Sequence, residues 1–469
     1  MVSPPVSHIV QTPFSKLCPL DRAPLREEIF MFGILRDVAV GQIAGKFITK
    51  FWSHDVLQAT KSYPAIWHAG LAMAAAHQKS QVTGQSESAV QLRRNYNTFS
   101  LEHYNASIGL LMTIAKRKNL SQRDRETLLI ASILFLSLCA LQDNVQDAVI
   151  HAQSGARLYQ QWQIYDSQLD AVRNGILSRE SLRFLTTTLK CALVEPIQPS
   201  DLESKSPLKK RSHSLYSPVP FRTLAEAYTE FLPLLENIID QGGSANCKHV
   251  FEAAKENPST WNVYRREFAM WKDKFNQFQA QWEPSEGELD CFFELDVYSR
   301  LFGMMYDEVS AEPEMIWDAY TDEFNQILDT AEQIYELRTQ ASTRGDEQQA
   351  RLFTLSLAPG EALAFIAASC RNYKVRRRTI ALLKKWKWRN GVWDTKAMAA
   401  SCETLMAFEE NSKSEDDWCE CINGEFICHG HRVARTKAVF VGESEVIVRI
   451  QSVDDVRSDK PGVEYTIQN

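Results

Sequence analysis

Apolar positions recur at helical spacing over most of the chain, and they are densest between Ser121 and Trp162. From Leu128 to Leu141 almost every residue is apolar or small, and a helix that is greasy all round is packed by neighbours on every side. Ser121 fits an N-cap, with Asp124 three residues on near the orphan amides of the first turn. Gln142, Asp143 and Asn144 break the run as a turn. Val145, Ala148, Val149, Ala152, Ala156 and Tyr159 then repeat on one face of a 3.6-residue period. The pair reads as a helical hairpin at the centre of the fold, with Leu134, Leu138, Val149 and Ala152 fully buried. Gly155 flanks the stripe, where a missing side chain lets another helix approach closely.

The same periodicity extends in both directions. Residues 1 to 23 read as a disordered tail. From Pro24 onward Phe30, Ile34, Val38 and Ile43 mark a helical face, and Pro64 breaks one helix and starts the next. Leu101, Tyr104, Ile108, Leu111 and Ala115 form another stripe. Pro196 to Phe221 is rich in Pro and Ser without periodicity and reads as an internal loop. Helices resume at Thr223. Long aromatic ones follow around Trp261–Trp282, Leu289–Val309 and Asp322–Arg338, the last lined by Phe324, Ile327, Ala331 and Ile334. Val375, Thr379, Leu382, Leu383 and Trp386 give one more face, with Asn390-Gly391 as its C-terminal cap and Asp394 or Thr395 opening the next helix. Beyond Trp418 the pattern turns β-rich, with Asn423-Gly424 as a hairpin signal and two extended runs in KAVFVGESEVIVRI. The fold class is therefore all-α, a large multi-helix bundle or helical-hairpin stack over residues 24–410, helical throughout, with a small β appendage over 411–469.

Composition narrows the function. Hydrophobic residues make up 44% of the 469, enough for a real core, which excludes a mostly disordered chain. The net charge of −7 lacks the basic field of a chain that holds DNA by itself. The 10 Cys are scattered, mostly in helical apolar surroundings where Cys acts as a small hydrophobe, which suits a reducing compartment. No run approaches the ~18 apolar residues of a membrane span, so no membrane partner is expected and the sequons at Asn105 and Asn119 are coincidental.

Three stretches carry a family resemblance. Leu141-Gln142, Asn144, Ala148, His151, Ser154, Gly155 and Leu158 form one. Phe51-Trp52, Val56-Leu57-Gln58, Pro64-Ala65-Ile66, His68-Ala69, Leu71-Ala72 and His77, with Tyr104-Asn105 and Ile108, form another. Cys370-Arg371, Arg376-Arg377, Ile380, Leu382-Leu383, Arg389, Gly391 and Trp393-Asp394 form the third. In this order they resemble the regulatory domain of fungal zinc-cluster transcription factors, over roughly residues 25 to 410. The resemblance implies a helical regulatory domain, a nuclear location and transcription regulation, with secondary-metabolite gene clusters as frequent targets. Relatives read DNA through a binuclear cluster of six closely spaced cysteines near the N-terminus, whereas this chain has only Cys18 before Cys139. It is therefore expected to bind no specific DNA alone. A protein partner, either a complete zinc-cluster factor or a second copy, would supply those contacts.

Candidate chemistry is sparse. Gly41 to Lys46 is one residue short of a phosphate loop, and Phe47 replaces the metal-reaching hydroxyl, so it reads as helix. Asp143 and Asp147 lie near a helix turn as in all-α terpenoid synthases, but no further carboxylate set converges with them; helix-end electrostatics accounts for Asp147. Cys419, Cys421, Cys428, His429 and His431 form the one dense Cys/His group. Zinc accepts both ligand types, yet C-x-C and C-H-x-H are tighter than the usual knuckle, and alternate hairpin residues would share one face. The basic run Arg371, Lys374, Arg376, Arg377, Arg378, Lys384, Lys385, Lys387 and Arg389, with Trp386 and Trp388, has the makings of a nucleic-acid surface, but reads as a structural helix whose charges are solvated or paired. Lys209-Lys210-Arg211 reads as a solvated charge run rather than an import signal. No catalytic residue, cofactor or metal ligand is assigned. The competing classes are an all-α enzyme with a pocket in the bundle and a helical scaffold unrelated to transcription.

Overall fold

The computed structural model describes residues 19–45, 47, 49–162, 175–191, 218–240, 258–284, 288–307, 314–343, 352–411, 419–422, 425–441 and 445–468. Helix α1 (Arg26–Ile34) runs through a π-helical turn, Leu35–Ala39, into the short α2 (Val40–Ala44). A second π-turn, Phe51–Asp55, leads into α3 (Val56–Ser62), and Pro64 starts α4 (Pro64–Gln81). Proline is at home there because its missing N–H would be unpaired anyway. Helix α4 is buried along most of its length, Trp67 and Met73 included. The stretch from Gly41, read as helix, is helical through Ala44, and the glycine that follows, Gly45, takes a left-handed φ of 65°.

Helix α5 (Glu87–Ala115) lies along α4 through small polar groups. Ser100 Oγ donates to the Ala72 carbonyl at 2.9 Å, and Ser107 Oγ to the Ala65 carbonyl at 2.7 Å. This inward face differs from the expected stripe. Leu101 and Ala115 point out, while Ser100, His103, Ser107 and Leu111 are buried. Helix α4 offers small residues, so hydroxyls satisfied by its carbonyls pack closer than leucines would. In α1, likewise, Phe30 is 60% exposed while Met31, Phe32 and Leu35 face inward. The π-turn that follows adds a residue to one turn and rotates the face away from a plain 3.6-residue period.

The central hairpin forms as its pattern indicates. Helix α6 (Gln122–Leu141) starts at a capping box in which Ser121 Oγ accepts from the Asp124 N–H and the Asp124 carboxylate accepts from the Ser121 N–H. Leu134, Leu138 and Ala152 are at most 1% exposed, and Val149 is 8% exposed. Asp143 makes the turn in a left-handed conformation, φ 62°. Helix α7 (Val145–Gln161) follows, then α8 (Arg179–Cys191). The start of α8 is held by buried carboxylates from elsewhere: Glu126 accepts from the Ile176 N–H at 2.5 Å, and Asp55 from the Ser178 N–H at 2.9 Å.

The second half repeats helix-on-helix packing with larger side chains. Helices α9 (Leu224–Asp240), α10 (Pro258–Gln281), α11 (Leu289–Met305) and α12 (Thr321–Thr343) enclose an aromatic cluster. Trp271 stacks on Phe275 with centroids 4.9 Å apart, and Phe231 contacts Trp271 and Phe302. Phe324, Ile327, Ala331 and Ile334 are fully buried. The expected loop from Pro196 to Phe221 lies largely outside the described residues.

Strands appear earlier than expected. Strand β1 (Leu352–Thr354) pairs in parallel with β2 (Trp388–Asn390), which pairs antiparallel with β3 (Trp393–Asp394). The span 24–410 is thus not helical throughout. Asn390-Gly391 is not a helix cap either. Helix α14 (Tyr373–Lys385), which follows α13 (Pro359–Ser369), ends at an extended Trp386, and Gly391, at φ 54°, turns β2 into β3. The Leu355 N–H donates to the Ile43 carbonyl at 2.9 Å, tying this sheet to the end of α2. Helix α15 (Thr395–Asn411) begins with Asp394 accepting from the Lys396 N–H.

Beyond it lies an antiparallel sheet of β4 (Val433–Val441), β5 (Glu445–Ser452) and β6 (Val463–Gln468), with a short α16 (Val453–Arg457) between the last two. Val446, Val448 and Ile450 alternate inward from β5 and pack with Leu405 and Phe408 of α15. Helix α15 therefore serves two cores, the large helical one through Met398 and Cys402 and the small one under the sheet. Among the described residues no helix is long and apolar enough to cross a membrane.

Close packing around Gly155 gives a direct test. A Cβ there would stand 2.9 Å from Ser132 Cβ and 3.0 Å from Leu189 Cδ2, whereas one at Gly109 of α5 meets nothing within 4 Å. Gly155→Val should lower stability by about 1–3 kcal/mol through overpacking, and Gly109→Ala should raise it by up to ~1 kcal/mol through helix propensity. Urea unfolding of the two variants beside the parent reads both signs.

Candidate functional site

The basic stretch that carries the third resemblance is divided: Arg371, Arg376 and Arg389 are buried, while Lys374, Arg377, Lys384, Lys385 and Lys387 lie on the surface. Asn372 caps α14 by accepting from the Lys374 and Val375 N–H groups. Arg376 then falls on the same inward face as Val375, Thr379 and Leu383. Its guanidinium donates to the Ala367 carbonyl at 2.9 Å and to Glu409 at 2.6 Å. Arg371 reaches the other oxygen of Glu409 at 2.7 Å. Glu409 is 0% exposed and also accepts from the Val433 N–H at 2.8 Å. Further along, Arg378 pairs with Asp329 and Glu332, Lys384 with Glu403, and Arg389 with Asp143. Trp386 and Trp388 are buried and stacked on each other, 5.6 Å between centroids. The rings that would have stacked on bases are thus inside.

Residues of the other two resembling stretches also meet. Tyr104 and His151 share a hydrogen bond of 3.0 Å, and burial lowers the His151 pKa while raising that of Tyr104 to about 12. The carboxylates near the central turn do not act together. Asp147 is bound to Asn144, which caps α7, and Asp143 is paired with Arg389 2.9 Å away. The metal-binding arrangement of a terpenoid-type enzyme is not assembled from these two.

A second ionic group lies between α11 and α12. Arg338 binds Asp290 at 3.0 Å and Glu294 at 2.5 Å and lies over the Trp388 ring. Nearby, Glu361 accepts from the Tyr298 hydroxyl at 3.2 Å and from the Asn390 amide, and burial pushes its carboxyl up to about 7. These contacts join the β2–β3 turn to α11 and α13.

Two histidines form a third group. His68 and His103 are joined Nδ1 to Nδ1 at 2.8 Å, a bond that needs one ring as donor and the other as acceptor. Burial, reinforced by His68, pushes His103 down to about 4, and burial alone does the same to His77. Glu28 lies 3.9 Å from His103 but is already engaged by Arg22 at 2.7 Å and the Leu25 N–H at 2.8 Å. The group is a neutral imidazole pair beside a satisfied carboxylate.

The Cys/His group departs most from expectation. Cys419, Cys421, Cys428 and His431 place one donor atom each within 4.8 Å of all the others. Among the described residues, Cys421 to Cys428 holds one bridge, Ile422 to Phe426, rather than two flat strands, and His429–His431 forms a 3₁₀ turn. That turn swings His431 back over the three thiols, so the shared-face argument against a common site does not hold. His429 faces away, with its Nδ1 3.4 Å from Arg457. Burial, together with the hydrogen-bonded neighbouring thiols, pushes Cys421 up to about 12.

Sequence reasoning missed Glu409, Asp318 and Arg432. Arg432 is fully buried, clamps both carboxylate oxygens of Asp318 at 2.7 and 2.8 Å, and donates to the Glu314 and Ile427 carbonyls. The available signal was a charge on an apolar stripe, since Glu409 follows Cys402 and Leu405 on the inner face of α15.

The described residues thus define a predominantly helical protein with several buried ion pairs. Such a body resembles a known regulator in sequence as well. The aspercryptin biosynthesis cluster-specific transcription regulator atnN of Emericella nidulans is 23% identical over 449 residues, covering 78% of this chain and 71% of that protein. No protein-family profile matches the chain, and no solved structure does.

Two tests follow from these groups. Glu409→Gln keeps the shape but removes the carboxylate that Arg376 pairs with and leaves Arg371 only the more distant Glu314, 3.7 Å away, and should cost about 3–5 kcal/mol, read as a fall in the denaturant midpoint. The second concerns pH. His103 titrates near 4 in the fold against an ordinary 6.5, so on acidification the unfolded chain takes the proton first. Its contribution is complete above about 6.5 and is lost as the pH falls toward 4. The drop in melting temperature between about pH 7 and pH 5 should therefore be smaller in His103→Gln than in the parent.

Proposed function

We propose that this chain regulates transcription of a fungal biosynthetic gene cluster, in the nucleus, through a protein partner that makes the DNA contacts. The observation that carries the reading is the likeness to a cluster-specific transcription regulator along 78% of the chain. The fate of the basic stretch supports the partner clause: Arg371, Arg376, Arg378 and Arg389 are paired with acids, and Trp386 and Trp388 are buried. Nonspecific affinity for DNA grows with the number of phosphates a protein neutralises, and a chain of net charge −7 with four arginines of that stretch already paired offers little. The partner is a complete zinc-cluster factor or a second copy of the chain. The expected internal loop and the Lys209–Arg211 run lie outside the described residues and carry nothing here.

Deleting the gene and sequencing the transcripts tests the reading, with a gel shift on the affected promoters at ~0.15 M salt alongside. Transcripts of one neighbouring biosynthetic cluster should change together, and the purified chain alone should give no sequence-specific shift. An unchanged transcript profile would refute the regulatory role, and a specific shift by the chain alone would refute the need for a partner.

A further inference from the structure

We propose that Cys419, Cys421, Cys428 and His431 bind one Zn²⁺ ion, in a mononuclear structural site that fixes the segment between α15 and β4. Three sulfurs converge on one nitrogen atom. His431 Nδ1 lies 3.5 Å from Cys419 Sγ, 3.3 Å from Cys421 Sγ and 3.2 Å from Cys428 Sγ. A ring nitrogen has a single proton or a single lone pair, so it cannot serve three thiols by hydrogen bonding. A cation in their midst satisfies all four atoms at once.

Zinc binds sulfur at about 2.3 Å and imidazole nitrogen at about 2.0–2.1 Å in a tetrahedron, so ligand atoms should stand about 3.8 Å apart for sulfur pairs and about 3.6 Å apart for sulfur–nitrogen pairs. Cys421 and Cys428 sulfurs are 3.5 Å apart, and the sulfur–nitrogen separations are 3.2–3.5 Å. Small contraction of a tetrahedral edge is all that separates the two. Soft thiolates with one imidazole in this geometry favour zinc over magnesium, calcium or manganese.

The Cys428 N–H donates to Cys421 Sγ at 3.3 Å, an outer contact of the kind that orients a metal ligand. On binding, each thiol gives up its proton to solvent and the imidazole binds as the neutral base. Four protein ligands leave no open position, which marks a structural rather than a catalytic site. Around Cys421 the described residues have little regular structure: Ile422 is 55% exposed, and one isolated bridge and one 3₁₀ turn are assigned. Metal binding supplies folding free energy where apolar burial is meagre. This site is separate from any DNA-reading zinc cluster, and it stands or falls independently of the regulatory role.

The test uses the full chain, purified without a metal-affinity step and analysed for metal by mass spectrometry. One zinc per chain is expected, and Cys421→Ser/Cys428→Ser should lower zinc affinity at least about tenfold, a loss that even outer-shell changes can reach. Cys139→Ala, remote in α6, should keep its zinc. To separate loss of a ligand from loss of the fold, the wild-type chain is stripped with a chelator and titrated with Co²⁺. Visible bands of tetrahedral cobalt and a thiolate-to-metal charge-transfer band should appear and vanish on adding zinc. A chain that carries no zinc and takes up no tetrahedral cobalt would overturn the proposal. So would a Cys421–Cys428 disulfide in reductant-treated protein, or full zinc in the double variant.

Discussion

One buried carboxylate ties the two bodies of this protein together. Glu409 is fully enclosed and accepts from Arg371, from Arg376 and from the Val433 N–H. The donors come from the residues just before α14, from α14 itself and from the first residue of β4. Burying three charges is expensive, and apolar residues of the same volume would often be as stable. What the arrangement gains is direction. An apolar contact between α14 and α15 tolerates sliding, whereas a carboxylate with two guanidiniums and an amide has one satisfactory pose. The sheet of β4, β5 and β6 is thereby docked in a defined register on the helices.

The central hairpin is joined to the C-terminal stretch by the same kind of contact. Asp143, in the left-handed turn between α6 and α7, meets Arg389 of β2. Tyr104 of α5 meets His151 of α7. These residues come from stretches far apart in the chain. Polar residues in them work as joints between helices.

The helical architecture was legible because burial of α7 and α12 follows a single period and α6 is an unbroken apolar run. Where the reading failed, tertiary contacts had replaced period. Strands β1 to β3 are two or three residues long, too short to alternate visibly, and exist because β2 finds β1 and the β1 segment finds Ile43. The inner face of α5 is built from Ser100, His103 and Ser107, which no hydrophobic pattern marks. Phe30 was misplaced by a π-turn. The Cys/His group was named from its residues, but its geometry was hidden, because a 3₁₀ turn rather than a strand carries His431 back to the thiols.

That turn gives the C-terminal body its coherence. His431, Arg432 and Val433 are consecutive, and each is fastened to a different part of the molecule. His431 faces the three thiols, Arg432 holds Asp318 and the Glu314 carbonyl, and Val433 reaches Glu409. Three adjacent residues with extended or 3₁₀ backbone have few other conformations once any two are anchored. Loss of one anchor therefore loosens the other two, since each relies on its neighbours for the entropy of ordering already spent. The thiol–imidazole group, the Arg432 clamp and the Glu409 pair act as one unit, and that unit, more than the modest core under the sheet, joins the appendage to the helices.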